Sequence, residues 1–232
     1  MTQKFHAAIV DLDGTMIDTL GDFEVALNWM LADFGHAAVD RGFIERTVGK
    51  GSEHLIQSTL DFVLKRPLAI KNVAGAAIKN IVFDDAFTSY QKHYLAVNGQ
   101  ASHVYAGVVQ GLQLMQNAGL KLACLTNKPT AFALPLLKAK GLDGYFSHVF
   151  GGDAFARKKP DPLPLLKTCQ ALGTLPTHTL MVGDSHNDAQ AAHAALCPVV
   201  LVTYGYNHGE DIRQVSAMAH IGSMAELAQY LA

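Results

Sequence analysis

The sequence predicts an α/β fold: a doubly wound, Rossmann-like parallel sheet with a helical cap inserted into it. Three observations carry that expectation. Short apolar runs at residues 7–10, 120–125, 179–182 and 199–203 read as fully buried strands. Helical patterns separate most of them, the order that a parallel sheet requires. Between residues 17 and 100 no convincing strand appears, only helical stretches. The expected division is a core of residues 1–16 and 93–232 and a helical cap of residues 17–92.

Taken in order, Ala-Ala-Ile-Val at 7–10 runs into Asp11-Leu12-Asp13-Gly14-Thr15. Strand side chains alternate, so Asp11 and Asp13 would share a side if the strand continued. Gly14 permits a sharp turn and close approach to a ligand. A helix follows over 23–34, with Phe23, Leu27, Met30, Leu31 and Phe34 on one stripe. Thr19 or Asp22 is its expected cap and Gly35 its stop. A short helix over 43–48 leads to Gly49-Lys50-Gly51-Ser52. Helix 53–65 is broken by Pro67, a helical turn covers 71–79, and helix 85–97 ends the cap. Helix 108–118, stopped by Gly119, precedes the strand 120–125, which ends in Thr126-Asn127-Lys128-Pro129. The next helix reaches Lys140 and stops at Gly141. A short strand at Val149-Phe150 gives way to a turn, Gly151-Gly152-Asp153. Helix 164–172 is stopped by Gly173. Strand 179–182 ends in Gly183-Asp184-Ser185, an Ala-rich helix covers 189–196, and strand 199–203 and a terminal helix at 224–231 close the chain.

Composition narrows the function classes. With 232 residues, 50% hydrophobic and 16% charged, the chain can bury a sizeable core. Eighteen basic and 20 acidic side chains give a net charge of −2, without the basic excess of a nucleic-acid binder. Three scattered cysteines in no metal spacing suit a reducing compartment. No run approaches a membrane span and the N-terminus lacks a signal-peptide core, so a soluble cytoplasmic protein, a monomer or homodimer, is expected.

Polar residues recur at the carboxyl ends of successive strands: Asp11 and Asp13, then Thr126 and Asn127, then Asp184 with Asp188 four residues on. Lys158-Lys159-Pro160-Asp161-Pro162 lies between. In a parallel sheet these ends converge at one edge. Clustered carboxylates repel unless a cation sits among them, and oxygen-only ligands suit Mg²⁺. Hydroxyl, amide and ammonium donors beside it suit a phosphate. Plainer readings exist: Thr126-Asn127 as a turn, Asp188 as a helix cap, and Lys158 as eligible by position as Lys159.

The ordered set Asp-Leu-Asp-Gly-Thr, Thr126, Lys159-Pro and Gly-Asp-Ser-x-x-Asp resembles the four motifs of the haloacid dehalogenase superfamily, and the insert resembles its helical cap. Within that superfamily, Gly-Lys-Gly in the cap, Lys-Pro-Asp-Pro-Leu-Pro-Leu, Gly-Asp-Ser-His-Asn-Asp-Ala-Gln-Ala-Ala and Thr-Tyr-Gly-Tyr are similar to phosphoglycolate phosphatases. The resemblance implies a Mg²⁺-dependent phosphomonoesterase acting on a small phosphorylated metabolite, 2-phosphoglycolate. It makes Asp11 the nucleophile, Asp13 the general acid and base, Thr126 a phosphoryl hydrogen-bond donor and Lys159 the charge partner. Asp11, the carbonyl of Asp13 and Asp184 would hold the metal, with Asp188 supporting its waters or Lys159. Asn127 and backbone amides after Asp11, Gly14 included, would complete the phosphate cradle. Because these motifs read only phosphate, the cap must read the leaving group, which points to Lys50 and secondarily Arg46 as cations for a glycolate carboxylate.

Two positions depart from similar sequences. Ala106 stands where Tyr-Pro-Gly-Val is usual, and Leu196 where Gly usually follows the Ala-rich helix. If the second position needs a left-handed backbone, Leu strains it. Rival readings are a hexose-phosphate mutase of the same fold, a dehalogenase, a phosphonatase, and a non-enzymatic phosphate-binding or phospho-signalling protein.

Overall fold

The computed structural model describes residues 5–65 and 81–231; Pro67 and the turn expected at 71–79 lie outside them. The main sheet contains β1 (Ala7–Val10), β4 (Lys121–Leu125), β5 (His148–Phe150), β6 (Thr179–Gly183), β7 (Val199–Val202) and β8 (Ala219–Ile221), in the order β5-β4-β1-β6-β7-β8. Every pairing is parallel. The chain therefore winds outward in one direction through β4 and β5, then in the other from β6 to β8. The reversal falls beside β1, where such sheets open a crevice at their carboxyl edge.

The strands are apolar on both faces because helices cover both faces. Ala8, Val10, Leu122, Cys124, Leu180 and Val182 face α5 (Val108–Asn117) and α6 (Thr130–Ala139). Their alternates Ala7, Ile9, Ala123, Leu125 and Met181 face α7 (Leu163–Leu172) and α8 (His186–Ala195). One residue of register shift would exchange these two sets.

The helices α1 (Leu20–Asp33), α2 (Arg41–Thr47), α3 (Ser52–Leu64) and α4 (Phe83–Val97) build a core of their own around Leu27, Met30, Leu31, Ile56, Tyr90 and Tyr94. α4 runs through residue 92, the boundary expected between cap and core, and ends at Val97. Neither expected residue caps α1 with its side chain. Thr19 instead donates to Asp13, and Asp22, fully buried, accepts the backbone N–H groups of Gly99 and Ala101 at 2.7 Å each. Asp22 thus ties the start of α1 to the segment leaving α4.

Two strands escape a periodicity reading. β2 (Ile17–Asp18) pairs antiparallel with β3 (His103–Val104), so the stretch from 17 to 100 is not strand-free. Two residues cannot display alternation; cross-chain pairing alone defines them. β8 is also short, and the expected terminal helix is a 3₁₀ segment at Met224–Gln229.

Candidate active site

Asp11 lies one residue beyond β1. Its N–H donates to Val182 O at 3.0 Å, extending the pairing that carries its carboxylate to the sheet edge. The side chain is nearly enclosed. Lys159 Nζ lies 2.8 Å from Asp11 Oδ1 and 2.7 Å from Asp188 Oδ1, and donates to Leu125 O at 2.9 Å. Lys159 is thus the close charge partner of both carboxylates. Lys158 turns outward to Glu53 at 2.8 Å. Geometry thus separates two lysines that position alone leaves equal.

The Gly-Asp-Ser-x-x-Asp stretch leaves β6 and starts α8. Asp184 accepts from Thr15 Oγ1 at 2.8 Å and from the Tyr206 N–H at 2.6 Å. Gly14 makes this approach feasible: its φ is +81°, and a Cβ there would stand 2.1 Å from Asp184 Oδ2. Ser185 caps α8, and Asp188 closes the capping box from inside the first turn. Asp188 is therefore both the helix-start residue of the plainer reading and a partner of Lys159. The Ser185 cap also starts α8 at His186, three residues before the expected Ala-rich stretch.

Oxygens of Asp11, Asp184 and Asp188 lie within 4.8 Å of one another, a group that could hold a metal ion among the described residues. Burial pushes the Asp11 carboxyl up to about 7; Lys159 draws it down and Asp188 raises it further. Burial, then Asp188 and Asp11, raise Asp184 well above the usual carboxylate range. Burial alone would depress Lys159, but Asp11 and Asp188 more than offset this and raise it. The cluster is short of positive charge.

Asp13 faces elsewhere, because the strand stops before it. Its Oδ1 accepts from Thr19 Oγ1 at 2.8 Å and Lys128 Nζ at 2.9 Å, and its Oδ2 lies 3.2 Å from the same ammonium. Its carboxylate is thus held in a network apart from the Asp11, Asp184 and Asp188 group. Thr126 is buried on the cavity wall, and its Oγ1 also accepts the Lys128 N–H at 3.1 Å, the local turn of the plainer reading. Asn127 braces this loop: its amide exchanges hydrogen bonds with the Lys159 backbone at 2.8 and 3.0 Å and donates to Gly49 O at 3.0 Å.

The family model for haloacid dehalogenase-like hydrolases matches residues 5–195. The chain is a haloacid dehalogenase-like hydrolase. A phosphoglycolate phosphatase of Thiobacillus denitrificans is 39% identical over 96% of this chain and 93% of its own. One from Nitrosospira multiformis is 38% identical over 97% and 95%. The crystal structure of a predicted phosphoglycolate phosphatase from Haemophilus somnus 129PT superposes with a TM-score of 0.90 at 30% identity, covering 99% of both chains. This hydrolase is an enzyme of the phosphatase type.

A cavity of about 460 Å³, counting space open to solvent, lies over Asp11, Asp13 and Thr126, walled by Phe23, Leu55, Tyr90, Tyr94 and Phe132. The Gly49-Lys50-Gly51 loop does reach it, through its two glycines. The expected cations do not. Lys50 is exposed, with its charge toward His54 and His208, and exposed Arg46 packs its stem near Gly209. Glycine lets this loop come close, and Lys50 is not part of the cavity wall. The cation that does line the cavity is Lys128, which motif reading passed over. Its only sequence signal is its place two residues after Thr126 at a strand end.

Proposed function

We propose that this phosphatase hydrolyses a small phosphomonoester, 2-phosphoglycolate, through an aspartyl-phosphate on Asp11, with Mg²⁺ as cofactor. The observation that carries this reading is a buried carboxylate at the switch point of the sheet, paired with Lys159, beside a second carboxylate held in a separate network. Asp11 attacks phosphorus as the ester P–O bond breaks. Asp13 gives its proton to the departing alkoxide, becomes the base that takes a proton from water, and that water cleaves the acyl phosphate to free phosphate and Asp11. Thr126 and nearby backbone amides orient the phosphoryl oxygens, and Lys159 offsets the charge that gathers on Asp11 and phosphate.

The residues fit a divalent cation. Three carboxylates share one ammonium, which leaves the cluster short of positive charge. Asp11, Asp184 and the Asp13 carbonyl would hold Mg²⁺, whose oxygen preference matches this set. Asp188 has both oxygens engaged and would act by fixing Lys159 and the Asp184 loop. Bound there, Mg²⁺ would screen nucleophile from phosphate. In this reading the sheet unit performs the chemistry and the helical unit closes over the leaving group.

The test is phosphate release from 2-phosphoglycolate with Mg²⁺ and with excess chelator, for wild type and Asp11→Asn. Release should require Mg²⁺ and be lost in the folded variant, because an amide cannot attack phosphorus. Turnover in chelator, or in Asp11→Asn, overturns the mechanism. Isomerisation of a hexose phosphate without phosphate release would replace the reading with that of a mutase.

A further inference from the structure

We infer that Lys128 reads a negative charge on the leaving group, making the enzyme selective for phosphate esters whose alcohol carries a carboxylate. This inference rests on the phosphatase reading above and adds to it the residue that selects the substrate class.

The Lys128 side chain is 2% exposed. Its ammonium is held between the Asp13 carboxylate and the Tyr94 hydroxyl, to which it donates at 2.6 Å. It also stands over the rings of Phe23 at 4.6 Å and Tyr94 at 4.7 Å. A buried ion pair is no gain in stability over apolar packing, so stability alone does not explain a lysine here. Asp13, through Oδ1 at 2.9 Å and Oδ2 at 3.2 Å, and Tyr94 engage all three donors of the ammonium, so a further anion would meet its charge rather than a free N–H.

Position gives that charge its use. Lys159 serves Asp11 and Asp188; Lys128 serves Asp13, the group that meets the leaving oxygen. A leaving alcohol beside Asp13 is therefore beside Lys128 as well. Lys128 is the only cation among the described residues that line this cavity, and much of the remaining wall is aromatic or aliphatic. A carboxylate one carbon from the leaving oxygen would find one charge partner there. A neutral alcohol of the same size would find none that it needs.

The experiment compares kcat/KM for 2-phosphoglycolate and for 2-hydroxyethyl phosphate, its near-isostere with a neutral end. Wild type, Lys128→Met and Lys128→Gln are measured, with folding checked by circular dichroism. Because Lys128 also holds Asp13, both substrates should slow, but the anionic-to-neutral ratio should fall about ten- to a hundredfold, the scale of one charge-assisted contact. In an Asp11→Asn background, calorimetry should show weaker 2-phosphoglycolate binding with less change for inorganic phosphate. Equal losses on both esters would make Lys128 a brace for Asp13 and overturn the inference. If neither variant folds, Tyr94→Phe, which loosens the ammonium without removing it, must lower the same ratio about two- to fivefold, and an unmoved ratio overturns it. If wild type prefers another anionic ester and Lys128→Gln removes that preference, the inference stands and 2-phosphoglycolate falls. If wild type does not distinguish anionic from neutral leaving groups, the inference falls and the phosphatase reading survives.

Discussion

Asp13 takes hydrogen bonds from Thr19 and Lys128, whereas Asp11 faces Lys159 and the carboxylates of Asp184 and Asp188. One intervening leucine separates two networks, and each aspartate should fail in its own way. Asp13→Asn should lower kcat about 10²–10⁴-fold on alkyl esters, the usual share of general acid–base help. The loss should be smaller on p-nitrophenyl phosphate, whose leaving group needs no proton. Parallel assays on both substrates check this, and equal losses would leave Asp13 only a structural part. At this scale the sequence was legible where the residue's own type and strand-end position fixed its place: Asp11, Thr126, Asp184. It was illegible where a long side chain chose its direction. Lys158 and Lys159, Lys50 and Lys128 differ in what surrounds the ammonium, and those surroundings come from segments far along the chain.

Apolar period and stop residues specify most of the sheet and most helix ends. Two features come from pairing with something distant. β2 exists because β3 lies beside it, and Asp153 caps α6 from another loop by accepting the Thr130 N–H at 2.9 Å. The end of α8 shows the opposite case, a local signal read correctly. Leu196 occupies the left-handed region at φ 64°, in the place where a glycine relieves strain, and is 71% exposed. A left-handed leucine costs about 1–2 kcal/mol and glycine adds about 0.5–1 kcal/mol of unfolded-state entropy. Leu196→Gly should therefore stabilise the protein by about 0.5–1 kcal/mol, seen as a higher midpoint in urea with an unchanged slope. A lower midpoint would show that the exposed leucine contributes more than it strains.

For the molecule as a whole, the proposed metal at the carboxylate cluster would link pH to stability. Asp11 and Asp184 are raised above their unfolded values, so between about pH 4 and 7 the metal-free native state binds more protons than the unfolded chain. Their contribution to stability is then lost as pH rises. A bound divalent cation removes that loss by favouring the ionised carboxylates. The rise in Tm on adding Mg²⁺ should be small near pH 5 and grow towards pH 7.5, as thermal melts in matched buffers will show. A Mg²⁺ effect independent of pH would detach the cation from these two aspartates.

The two-stranded ribbon of β2 and β3 bears on chain statistics. β1 and β4 are neighbours in the sheet, yet roughly a hundred residues separate them. Ile17 and Asp18 are paired with Val104 and His103, so the segment between them leaves and returns at one point. Once the helices have gathered and this ribbon has zipped, the loop that β1 must close to reach β4 shortens to roughly two dozen residues. By the logarithmic law of loop closure, that spares about 1 kcal/mol of ordering at the step where the sheet is assembled. To the polymer, the large insertion is then nearly as short as an ordinary surface loop.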